Sequence, residues 1–151
     1  MDKLTITGLE GGSSGVTVAV HFNPKEISIA KSVPWQKQPT VGPGDLEFSS
    51  AEPQTMSFEL MFDGFEAGAS IQGEIDKLQQ LSDIDPSLRR PPKLKIAWGD
   101  EGAAGTMPPF EAVVESMGIK YTMFDANGRP LRATVALGFK QARKLKVVQL
   151  R

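Results

Sequence analysis

Apolar and polar residues alternate along much of the chain with a period of two, the signature of half-buried strands. Leu4, Ile6 and Gly8 alternate with Thr5 and Thr7. After the break Gly11-Gly12-Ser13-Ser14-Gly15, Val16, Val18, Val20 and Phe22 take one face, with Thr17, Ala19 and His21 on the other. Such alternation on both sides of a Gly/Ser break predicts a hairpin. Asn23-Pro24 predicts a turn, since proline has no amide to continue a ladder. Ile27 and Ile29 restart a strand running toward Trp35, with Pro34 marking an edge or a bulge. The clearest strand sets Met56, Phe58, Leu60 and Phe62 against Thr55, Ser57, Glu59 and Met61. Leu94, Ile96 and Trp98 form another, and Leu131, Ala133, Val135, Leu137 and Phe139 a last one.

Three departures from that rhythm are informative. Ile71, Ile75, Leu78 and Leu81 recur at helical spacing, with Ser70 as the expected N-cap and Asp85-Pro86 past the end. A single amphipathic helix needs an apolar surface, and only a sheet can supply it here. In the stretch 110–124 the apolar phase slips, from Phe110, Ala112 and Val114 to Met117, Ile119, Tyr121 and Met123. A one-residue slip exchanges the two faces of a strand, so a bulge or corner is expected between Glu115 and Gly118. Asp125-Ala126-Asn127-Gly128 predicts a hairpin turn with Asn-Gly at positive φ. The segments 39–53 and 99–105 read as long loops. The sum is one domain, mainly β with one α-helix, of six or seven strands in a small barrel or sandwich. Residues 1–140 form its body, and 141–151 form a partly apolar tail that folds back or reaches a neighbouring subunit.

Composition narrows the chemistry. The 151 residues include no Cys and one His, which removes thiol chemistry and any centre needing two histidines. Lys and Arg number 17 against 18 acidic residues, so a net charge of −1 offers no global attraction for nucleic acid or an anionic membrane. The apolar runs are too short to span a bilayer, and Met1-Asp2-Lys3 leads into no apolar leader core. The 15 Gly and 11 Pro suit a turn-rich β protein. His21 lies opposite the valine face and should meet solvent or a neighbour. Gly99, Gly102 and Gly105 are followed by Thr106-Met107-Pro108-Pro109, where a phosphate cradle would need a helix. Asp63, Asp100, Glu101 and Asp125 have no calcium-loop spacing and read as solvated turns. Basic residues cluster at Arg89, Arg90, Lys93 and Lys95, and again at Arg143, Lys144, Lys146 and Arg151. Only Trp98 supplies a nearby aromatic, so a solvated or subunit-facing edge is expected, with no catalytic residue, cofactor, metal or nucleic-acid site.

Several blocks, in order, carry a resemblance. Phe22-Asn23-Pro24-Lys25-Glu26 leads to Lys31 and Trp35, and Met56-Ser57-Phe58-Glu59-Leu60-Met61-Phe62-Asp63 runs into the helix. Arg90-Pro91-Pro92 precedes Leu94-Lys95-Ile96-Ala97-Trp98-Gly99. Ile119-Lys120-Tyr121-Thr122-Met123-Phe124-Asp125 precedes Asn127-Gly128-Arg129-Pro130-Leu131-Arg132-Ala133. Together they resemble the tube-like N-terminal domain of hub proteins from contractile injection systems, phage-tail-like particles of the antifeeding-prophage and virulence-cassette kind. The resemblance implies the two-sheet β-barrel or sandwich of phage tail tubes and type VI secretion tubes. It also implies a homo-oligomeric six-fold ring that joins the inner tube to a VgrG-like spike within the baseplate, or else an inner-tube or initiator layer. Such a chain would be made in the bacterial cytoplasm and built into the particle, with no membrane insertion. Many such hubs continue into a LysM module, and this chain ends at Arg151 without one. The expected ring contacts are Trp35, then Gln38, Val41, Pro43 and Asp45 in the 36–51 loop, then Arg90, and Arg143, Lys146 and Leu150 in the tail. The rivals are a small barrel binding an apolar ligand and an enzyme using carboxylates.

Overall fold

The structure, a computed structural model, describes residues 2–33, 35–37, 46–48, 53–99 and 102–142, and only the backbone of 36, 37 and 46–48. The strands are β1 (Thr5–Gly8), β2 (Thr17–Ala19), β3 (Ser28–Ala30), β4 (Trp35–Lys37), β5 (Leu46–Phe48), β6 (Thr55–Asp63), β7 (Leu94–Ala97), β8 (Phe110–Phe124) and β9 (Pro130–Gln141). The single α-helix, α1, spans Gln72–Ser82. Seven strands form one sheet in the order β2-β1-β7-β8-β9-β6-β3, with every neighbouring pair antiparallel. β4 and β5 pair separately as a hairpin, so the sequence 39–53, read as loop, contains a strand.

The expected two-sheet barrel or sandwich is corrected to a single open sheet, and β8 is the reason. Its first residues pair with β7, as in Ala112 with Leu94, while its length pairs with β9 from Ala112–Gln141 to Phe124–Pro130. The register shifts between Val114 and Ser116, where the apolar phase slips. The extra residue, Glu115, is left unpaired and bends the strand, and pairing resumes at Ser116, so the two halves of the sheet stay hydrogen-bonded through one continuous strand. Beyond the bend, Met117, Ile119 and Tyr121 sit opposite Leu137, Val135 and Ala133.

Curling lets both halves share one core. Leu4, Ile6, Val18, Leu94, Ile96 and Phe110 from one half join Met56, Leu60, Phe62, Val135 and Phe139 from the other in a single buried cluster. Each such side chain contributes about 1.5–3 kcal/mol when fully removed from water. The stripe of α1 completes it, with Ile71, Ile75, Leu78 and Leu81 all buried. The residue capping α1 is Ile71; Ser70 stands one position earlier, and its Oγ accepts the Gln72 amide at 3.2 Å. β2 ends at Ala19, so Phe22 leaves the valine face and is 50% exposed. In the β8–β9 turn Gly128 alone takes positive φ, while Asn127 only donates its amide to Asp125 Oδ1.

Gly8 shows why a small residue stands at the end of β1. A Cβ there would collide with the carbonyl oxygen of Ser13, in the 3-10 turn that links β1 to β2. Gly73, on α1, has open space around the same position. Gly8→Ala should therefore destabilise the fold by about 1–3 kcal/mol. Gly73→Ala should stabilise it by about 0.5–1 kcal/mol, both read as shifts of the urea midpoint.

Candidate assembly surface

The polar side chains that sequence singles out are used to tie loops to strands. Asp63 Oδ1 accepts the Phe65 amide at 2.9 Å, and its Oδ2 meets Arg132 at 3.2 Å. The Phe65 amide first, then Arg132, holds this carboxyl below its ordinary range. Asp125 accepts the amides of Arg129 and Asn127 and the Arg129 side chain, the Arg129 amide being the main cause of its lowered pKa. Asp85, just past α1, takes the Ser87 hydroxyl and amide on Oδ1 and the Gly12 amide on Oδ2. Its carboxyl too is held low, chiefly by Ser87. Asp100 and Glu101 lie outside the described residues. No group of three metal-ligating side chains occurs among the described residues.

His21 meets a neighbour, as its position opposite the valines suggested. Its Nδ1 accepts the Asp63 amide at 3.1 Å, its ring stands edge-on to Phe62, and its Nε2 lies 3.7 Å from Glu74 on α1. The contact joins the chain just past β2 to the end of β6, five places across the sheet. It thereby marks how far the sheet curls.

The first basic cluster is not a uniform free patch. Arg90 forms a two-pronged pair with Glu10, Nη1 to Oε1 and Nη2 to Oε2, both at 2.9 Å. Glu10 Oε1 also accepts the Lys93 amide at 2.7 Å. Lys93 pairs in turn with Glu111 at 3.1 Å. Arg90 was expected at a subunit contact; here it fastens the chain after β1 to the approach to β7. Trp35, expected at a ring contact, is 55% exposed on the β4–β5 hairpin. Gln38, Val41, Pro43, Asp45, Arg143, Lys146 and Leu150 lie outside the described residues.

What residue reading missed is the pair of rims. Alternate residues of a strand direct their main-chain groups to opposite neighbours. Gly8 N–H bonds Val16 C=O, so even-numbered residues of β2 face β1, and Thr17 and Ala19 face outward. At the other rim Ser28 and Ala30 pair with Ser57 and Thr55 of β6, leaving Ile29 outward. Neither β2 nor β3 carries a charge or a proline, and brevity, at three residues each, is the guard they keep. Side-chain alternation tells inside from outside but not edge from centre, so only the pairing order reveals these rims.

A curled antiparallel sheet with two short, uncharged rims, and chemistry confined to turns and ion pairs among the described residues, suits a structural β protein. The chain belongs to the contractile injection system tube protein family, whose model matches residues 1–149. That membership makes it a structural tube component of a phage-tail-like particle, which assembles with other tube and baseplate components. No curated protein matches the chain. No helix among the described residues is long and apolar enough to cross a membrane.

The Arg90 pair yields a pH signature. Arg90, the largest cause, lowers the Glu10 pKa on folding, with the Lys93 amide adding to it. A depressed folded value means stability present at neutral pH and lost as pH falls through that value. Arg90→Met should cost about 1 kcal/mol at pH 7. In urea melts the gap from the parent chain should close on acidification below about pH 4, the usual glutamate range.

Proposed function

We propose that the chain is a passive ring subunit of the conduit, six copies closing head to tail, each presenting β2 to the β3 rim of the next. The observation that carries this reading is the pair of short, uncharged rims, to which no described residue adds a strand. A strand edge with free amides and carbonyls recruits another strand by main-chain hydrogen bonds. Two unlike rims suit a heterologous contact, which gives a ring when its rotation closes. The reading assigns the chain no catalytic step and no cofactor. An apolar-ligand role fits less well, because large side chains such as Phe62, Phe139, Leu4 and Ile6 fill the interior.

Within the particle we assign the ring to the baseplate hub, between the inner tube and the spike. The ordered sequence blocks that resemble hub proteins support that position. The β4–β5 hairpin, with Trp35 exposed, is the part of the 36–51 segment suited to gripping the next ring or the spike. A second reading, a layer of the tube body, draws on the family's description as tube proteins.

Ala19→Pro tests the rim contact, since it removes an outward amide and spares the β1–β2 ladder. In particles co-expressed with tube and baseplate partners, the parent chain should appear as six-fold rings by electron microscopy. The proline variant should keep its circular dichroism spectrum and be lost from particles. Normal incorporation of the folded variant would refute the rim contact. A gold-labelled chain found at one end beside the spike supports the hub; label along the whole length selects the tube body.

A further inference from the structure

The β3 rim is incomplete, and the gap carries chemistry of its own. Gly64 N–H bonds Leu131 C=O, and Gln141 N–H bonds Gln54 C=O. These bonds turn the even-numbered residues of β6 toward β9, so its odd-numbered residues face the opposite side. Thr55 and Ser57 are met there by β3, and the Asp63 amide is met by His21. Between them Glu59 and Met61 point outward beyond the end of β3, and no described residue bonds their main-chain amides or carbonyls. A groove of about 840 Å³ opens over this stretch and on across the outer face of β9 and β8, where Thr134, Ala136, Ser116 and Gly118 line it, with the chain from Phe22 to Glu26 as one wall. Two apolar side chains stand in it half exposed, Phe22 at 50% and Met61 at 43%. Glu26 and Glu59 both line it, against a single Lys25.

We propose that this groove receives residues 143–151 of a neighbouring copy, laid along Glu59 and Met61 as an added strand. The segment Arg143-Lys144-Leu145-Lys146-Val147-Val148-Gln149-Leu150-Arg151 combines four apolar side chains with four basic ones and has no acid. It matches a groove that offers apolar surface and an excess of carboxylate. β-branched Val147 and Val148 suit extended backbone. At about 3.3 Å per residue, nine residues reach well beyond the gap.

Topology selects a neighbour's segment over the chain's own. The chain leaves β9 at Ala142, beside Gln54, at the end of β6 whose rim β3 already covers. From there its own segment would have to pass around β3 and then run parallel to β6. A segment arriving from a second copy meets no such obstacle and can pair antiparallel, the geometry every strand pair here uses. The inference rests on the ring reading for its neighbour, but it concerns a different patch from the β2 and β3 contact.

The absence of native cysteine makes the test clean. Full-length chains carrying Met61→Cys and, separately, Val148→Cys are given different tags, mixed under assembly conditions and treated with a short bismaleimide. A cross-linked species bearing both tags is expected, and Glu26→Lys with Glu59→Lys should cut its yield at least about threefold through like-charge repulsion. A doubly substituted chain that cross-links only within itself would overturn the proposal in favour of the chain's own segment. Rings that form normally without the two-tag product would overturn it too, while leaving the ring reading intact. The two-tag product without rings would do the reverse, supporting the groove and removing the ring.

Discussion

The bend in β8 is the feature on which the rest of the molecule depends. A strand of fifteen residues pairs with β9 along its length and with β7 at its start, and the first of three register shifts, after Val114, turns it while the pairing resumes at Ser116. Because pairing continues on both sides of the bulge, the two halves of the sheet fold over a common core while remaining one hydrogen-bonded surface. Because the sheet curls without closing on itself, β2 and β3 remain as rims. The contact of His21 with Asp63 brings the chain after β2 up to β6, yet it is a side-chain bond and adds no ladder. Packing is satisfied in the core, while no described residue adds a strand to the outward main-chain groups of the rims. That imbalance is what makes an assembling subunit a natural reading of the fold.

Much of this was legible in residue order. The helix stripe needed only its 3.6-residue period, and Ile71, Ile75, Leu78 and Leu81 are the residues it buries. The phase slip near Glu115 located the bend, because a side chain cannot change faces without an extra residue in the strand. What the bend does was less legible. A slip is equally compatible with a corner between two sheets and with a fold in one, and only the pairing of β8 decides. Phe22 misled for a related reason: it keeps the parity of Val18 and Val20, but Asn23 leaves the ladder to bind the Leu4 amide and the Asp2 carbonyl. The polar residues were harder still. Arg90 and Glu10 are far apart in sequence, and no spacing rule joins them.

The titratable residues follow one theme. Asp63, Asp85 and Asp125 each gather amides from the turn they begin, and Glu10 gathers the Arg90 guanidinium and the Lys93 amide. Each lowered pKa comes from hydrogen bonds that hold a loop, and this is the use of charge expected of a scaffold.

Amide hydrogen exchange on the rims is the most direct test of assembly through strand edges. Thr17, Ala19 and Ile29 direct their amides away from the sheet, so they should exchange fast in the isolated chain. In assembled particles the same amides should slow by orders of magnitude, while core amides such as Val135 stay protected in both states. Rim amides that exchange equally fast before and after assembly would contradict the account.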